Sequence, residues 1–103
     1  MYAMEKRINP ISIIRSVMFV VLSYDIGSKR VHRALKICRK YLRHVHKSVF
    51  EGDITESKLN QLKRELMGVL DTRHDAVCIY RVDSVSLVRK DEIGLVEDAS
   101  VII

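Results

Sequence analysis

Met18-Phe19-Val20-Val21-Leu22-Ser23-Tyr24, followed by Asp25-Ile26-Gly27-Ser28, is the stretch from which the rest of this sequence is read. It is almost continuously apolar, and it closes on a Gly-Ser pair, which describes a central strand running into a turn. Outward from it, Val31, Ala34, Leu35, Cys38, Tyr41 and Leu42 fall at spacings of 3, 1, 3, 3 and 1. That pattern draws one stripe on a 3.6-residue period and predicts a helix over residues 29–41. Arg33, Lys36 and Lys40 lie opposite the stripe, so the stripe packs and the cations stay in water. Residues 44–54 are short, β-branched and closed by Gly52, which suits strand or hairpin structure whose turn the sequence does not place.

Thr55 is a natural helix N-cap, with Glu56 in the first turn where the helix dipole favours negative charge. Leu59, Leu62, Leu66, Val69 and Leu70 mark the second helix. Residues 71–75 read as a polar loop and 76–82 as another apolar strand. Residues 85–88 and 101–103 would supply one or two further short strands. The order strand, helix, strand or hairpin, helix, strand predicts an α+β, ferredoxin-like βαββαβ sandwich with extra C-terminal strands, both helices on one face of an antiparallel sheet. A doubly wound parallel sheet would want Gly-rich phosphate loops, and the sequence has none.

At 103 residues and 48% hydrophobic the chain is one small globular domain. A domain this size buries roughly two-thirds of its unfolded surface, so a second subunit would help, and a homodimer is expected. Residues 1–17 mix charge, Asn9-Pro10 and the patch Ile11 to Ile14 without a usable period. They are expected to be an appendage, an extension upstream of a start at Met18, with 18–103 as the domain proper. Arg15 and Asp25 interrupt the apolar stretches before any reaches the roughly 18 residues a membrane span needs. Cys38 and Cys78 have no C-x-x-C or zinc spacing and sit in apolar segments, so both are expected to be buried thiols. With no disulfide framework, and with Pro10 breaking any leader-like segment, the expected compartment is the cytoplasm.

Charge is divided unevenly. Residues 1–50 hold 11 Lys/Arg against 2 Asp/Glu, and residues 51–103 hold 7 against 11. Lys29, Arg30, Arg33, Lys36, Arg39, Lys40, Arg43 and Lys47 form an acid-free run that suits phosphate. Its ordinary alternative is a solvated helix face, but such faces normally mix signs. Asp25 stands where a buried strand leaves the core, a rigid mount for a ligand. Spacing alone favours an Asx turn or helix cap there. One carboxylate does not hold Mg²⁺ unaided, whereas two copies of Asp25 across a two-fold axis would share one ion. His44 and His46, two apart on a strand, point the same way and with Lys47 would be capable of metal-free acid/base cleavage of RNA. A bland surface role is the competing account, since nothing nearby orients either ring. Cys38, within the apolar stripe, is a poor nucleophile. Phe19, Phe50 and Tyr41 read as core rather than as a base-stacking platform.

Phe19 to Ile26, the Lys29-Arg30 helix start, Lys47-Ser48-Val49-Phe50-Glu51-Gly52, Ile79-Tyr80-Arg81-Val82 and the closing Ile93-Gly94 together resemble the small CRISPR-associated adaptation endoribonucleases, the Cas2 family. The resemblance runs from Met18 to the C-terminus. It implies a ferredoxin-like homodimer in which Asp25 of each subunit binds one shared Mg²⁺, a nuclease activity, and a place in spacer acquisition between dimers of the CRISPR integrase subunit. By motif it implies a catalytic set of Tyr24, Asp25, Arg30 and Phe50. The nucleic-acid surface would be Lys29, Arg30, Arg33, Lys36, Lys40, Arg43 and Lys47. The loop 26–28 is shorter than usual in the family, and the Cys pair many members carry after the last core strand is missing. Two functions follow: a metal-dependent endonuclease on RNA or duplex DNA, or a non-catalytic adaptor whose basic surface holds prespacer duplex DNA. A third reading is a toxin-like messenger RNA nuclease of the virulence-associated D family, which shares the fold.

Overall fold

A computed structural model describes residues 17–83 and 87–94. The elements are β1 (Met18–Asp25), α1 (Val31–Arg39), β2 (Arg43–His46), β3 (Val49–Ile54), α2 (Glu56–Met67) and β4 (Ala76–Val82). The strands form one antiparallel sheet in the order β2-β3-β1-β4, the ferredoxin-like arrangement. Of the expected appendage 1–17 only Val17 is described, and residues 1–16 and the expected strand at 101–103 lie outside the described residues. Of the expected strand at 85–88, Leu87 and Val88 are described and are not in the sheet. Among the described residues no helix is long and apolar enough to cross a membrane.

β1 organises the domain because its side chains alternate between two faces. Val20 and Leu22 are 0% exposed and meet Phe50 and Ile54 of β3, Ala34, Leu35 and Cys38 of α1, and Leu59, Leu62 and Leu66 of α2 in one core. Met18 and Tyr24 extend that row. The intervening residues, Phe19, Val21, Ser23 and Asp25, therefore line the sheet face without helices. Cys78 and Tyr80 of β4 lie on this face too, by their register opposite Ser23 and Val21. That register corrects the expectation of two buried thiols, since Cys78 is exposed and only Cys38 is buried.

Both ends of the first helix differ from the sequence expectation, and α2 ends at Met67, before the Val69 and Leu70 that the periodicity assigns to it. The first helix begins at Val31 rather than residue 29, because Arg30 and Val31 both donate backbone hydrogen bonds to the Gly27 carbonyl and form its entry turn. At its other end, Lys40 and Tyr41 belong to the closing turn, bonded back to Ile37 and Cys38. The hairpin turn left open in the sequence is Lys47-Ser48, with Phe50 opposite His44 and Leu22 opposite Phe50. A register shift between His44 and His46 sends the two rings apart, His44 to 3% exposure and His46 into solvent. The two histidines therefore do not point the same way.

Thr55 caps α2 as its sequence implies, its Oγ1 accepting from the Lys58 backbone N–H at 3.2 Å. Thr55→Ala leaves that N–H without its partner and is expected to lower unfolding free energy by about 1 kcal/mol, measured by urea denaturation.

Candidate functional site

The C-terminal end of β1 carries the residues singled out in the sequence, and the alternation of the strand separates them. Asp25 is exposed, opposite Ala76 in the ladder and on the helix-free face. Among the described residues its carboxylate accepts no hydrogen bond, and the α1 N-cap is Arg30, without a side-chain cap. Asp25 is thus neither the Asx-turn residue nor the helix cap that its spacing favours. A hard cation takes one or two carboxylates and completes its shell with water and phosphate oxygens. Among the described residues no group of three or more His, Cys, Asp or Glu is placed to hold a metal. At the end of β1 the described residues therefore place one carboxylate, Asp25, and not a closed all-protein site.

Tyr24 points the other way, into the helix-covered side. Its hydroxyl donates to the Lys47 carbonyl and lies 3.5 Å from His44 Nε2. Burial pushes the phenol pKa up, so Tyr24 stays protonated and ties the β2–β3 turn to β1. Phe50, 0% exposed, stacks on His44 at 4.3 Å between ring centroids. Tyr24, Asp25, Arg30 and Phe50 consequently do not form one constellation within the chain. Tyr24 and Phe50 position the strand end, and Asp25 alone of the four faces solvent on the helix-free side. Cys38 is buried and its thiol is pushed up to about 12 by that burial, which removes it as a nucleophile.

Arg30 is held inside the chain by a residue the sequence reading passed over. Arg30 Nε and Nη2 donate to Asp75 Oδ2 and Oδ1 at 2.6 and 2.9 Å. Asp75 also accepts from the backbone N–H of Gly27 and of Asp71, each at 2.9 Å. Four donors on one buried carboxylate join the loop after β1 to the loop before β4. The Arg30 guanidinium, followed by the Gly27 N–H, holds the Asp75 carboxyl far below the ordinary carboxylate range. The only signal in the sequence was an acid directly before an apolar strand, where an unpaired charge would be costly.

The other basic residues sort by partner. Lys40 donates to Glu65 of α2, as does Tyr41, and Arg43 Nη2 reaches Glu51 at 3.2 Å. Lys29, Arg33, Lys36 and Lys47 are exposed and, among the described residues, have no acidic partner. The basic run is therefore smaller as a phosphate surface than its count suggests, with Arg30, Lys40 and Arg43 engaged internally.

A family model described as CRISPR associated protein Cas2 matches residues 18–90. The chain is similar to a protein of Moorella thermoacetica named CRISPR-associated endoribonuclease Cas2 2, at 45% identity over 69% of this chain and 86% of the relative. A Thermotoga maritima protein named CRISPR-associated endoribonuclease Cas2 is 38% identical over 76% of this chain and 90% of its own length. A solved structure described as a crystal structure of Cas2 superposes with a TM-score of 0.72 at 30% identity, covering 79% of this chain and 91% of that one.

The Asp75 cluster generates a pH prediction. A carboxyl whose folded pKa lies below its ordinary 3.8 contributes stability above that value and loses it as pH falls through the folded one. Asp75→Asn is expected to lower Tm by at least about 5 °C at neutral pH, with the difference from the native chain shrinking below about pH 4. Calorimetry across pH checks this.

Proposed function

This chain belongs to the Cas2 family of CRISPR-associated proteins, and from that premise we propose that it is an endoribonuclease of a CRISPR system with Asp25 as its metal ligand. The observation that carries the reading is the exposed Asp25 carboxylate at the end of the central strand β1, on the face left open by the helices. Two copies meeting through that face would bring two Asp25 carboxylates to one Mg²⁺, so the site is completed by the homodimer. Bound there, the ion would neutralise charge developing at the scissile phosphate.

The chain's own residues have distinct roles in this reading. Asp25 holds the cation. Arg30 and Asp75 fix the loop that follows it, and Tyr24 fixes the neighbouring hairpin turn through the Lys47 carbonyl. Lys29, Arg33, Lys36 and Lys47 attract the phosphate backbone without reading bases. Neither Tyr24 nor His44 is placed as the general base, since each is turned to the buried side.

A second reading is favoured by the acid-free cationic surface of α1. In it the chain is a structural adaptor that holds prespacer duplex DNA for dimers of the CRISPR integrase subunit. The two readings share the surface and differ in whether Asp25 is used. The toxin-like alternative loses its support, because the family matched is the CRISPR-associated one.

Labelled RNA and duplex DNA, incubated with Mg²⁺ or with chelator, test the first reading. Asp25→Asn is expected to reduce cleavage to background while leaving Tm and nucleic-acid affinity unchanged. Cleavage that survives both the substitution and the chelator contradicts it, and loss on His46→Ala would move the chemistry to that exposed ring. For the surface, log affinity for duplex DNA is expected to fall linearly with log salt, with a slope of about −0.9 per phosphate contacted. Three or four contacts per chain give a dimer slope of roughly −5 to −7. Arg33→Ala with Lys36→Ala is expected to flatten the slope, and Lys58→Ala with Lys63→Ala on α2 to leave it alone.

A further inference from the structure

Between the end of α1 and the edge strand β2 lies a groove of about 520 Å³, lined by Arg39, Lys40, Arg43 and His44 together with Glu51 and Asp53. Its other basic residues have partners: Lys40 is on Glu65, and Arg43 is on Glu51, which Lys90 also reaches. Asp53 is exposed and, opposite Phe19 in the ladder, belongs to the helix-free side. Arg39 is different. Its Nε and Nη2 are buried with no hydrogen-bond partner, and so is Nδ1 of His44, a residue only 3% exposed. A guanidinium remains charged and offers donors only, so these N–H groups call for an acceptor that the described residues do not supply. Buried donors left unpaired are rare because each has given up its hydration.

We propose that this groove is a phosphate-binding subsite in which the Nε and Nη2 fork of Arg39 and Nδ1 of His44 take the oxygens of one phosphate group. The fork presents two parallel donors, the arrangement that suits a tetrahedral oxyanion. His44 lines the groove; its Nε2 lies 3.4 Å from the Lys47 carbonyl, which leaves Nδ1, without a partner among the described residues, as the ring nitrogen available to a ligand. Phe50 stacked beneath the ring and the Tyr24 hydroxyl beside it hold the imidazole in place. The subsite does not depend on Asp25, which lies on the other face of the sheet. It would anchor a strand by a phosphate remote from the metal ligand, and the ligand class is a nucleotide phosphate, terminal or internal.

The test follows the His44 ring resonances by NMR on the full chain. Inorganic phosphate is expected to shift them saturably, and Arg39→Gln to weaken the apparent affinity by about tenfold or more, with Lys58→Gln unchanged. Arg39→Lys, which keeps the charge and loses the fork, is expected to show the same loss and serves if the Gln variant does not fold. A short single-stranded oligonucleotide with a 5′-phosphate is then compared with its 5′-hydroxyl counterpart. Tighter binding of the first names a terminal phosphate as the ligand, and equal binding with the same His44 shift names an internal phosphodiester. Absence of a saturable His44 shift in the folded native chain, or a shift unaltered in both Arg39 variants, overturns the proposal. Because Asp25→Asn leaves this readout untouched, failure here and failure of the nuclease reading are separable.

Discussion

The two-residue period of β1 is the constraint on which the rest of the structure depends. One row, Val20 and Leu22, is committed to the core under both helices, and its ends are extended by Met18 and Tyr24. That commitment fixes Phe19, Val21, Ser23 and Asp25 on the opposite face. A one-residue slip would bury Asp25 beside Phe50 and expose Val20 and Leu22, so hydrophobic burial itself specifies where the carboxylate stands. In the proposed function, chemistry and nucleic-acid attraction would therefore fall on different surfaces: the Asp25 ligand on the open sheet face, the cations on α1 and the β2–β3 turn.

Electrostatics then refine what the strand pattern lays down. The excess of cations in the first half of the chain is partly answered by acids in the second, through Arg30 with Asp75, Lys40 with Glu65, and Arg43 with Glu51. Of these the Asp75 cluster matters most for geometry, because it is buried and closes the two loops that flank the end of β1. The exposed Lys40 pair is screened by solvent and contributes little to stability. What remains for a polyanion is a narrower set of cations around the start of α1 and the hairpin turn.

Most of the fold was legible in the sequence because periodicity reports burial directly. The strand read at 18–24, which the structure extends by one residue to Asp25, the α1 stripe of Ala34, Leu35 and Cys38, the Thr55 cap and the 76–82 strand all appear, within the differences at the ends of the two helices. Features that depend on register were not legible. His44 and His46 obey a strict alternation only until a bulge intervenes, and Cys78 looks buried by its neighbours yet falls on the open face of an edge strand. Long-range pairing was equally hidden: Arg30 and Asp75 are 45 residues apart, and nothing local marks either as the other's partner. The same limit applied to Arg39, one cation among eight in the acid-free run and distinct only once its buried donors and the groove beside it are seen.

The central claim, that strand alternation presents Asp25 as the hard-cation ligand on the helix-free face, is tested most directly by paramagnetic relaxation with Mn²⁺ on the isotopically labelled chain. The account predicts line broadening centred on Asp25 and Ala76, weak along α1, and absent in Asp25→Asn. Broadening centred on the histidines or on α1, or unchanged by the substitution, would contradict it.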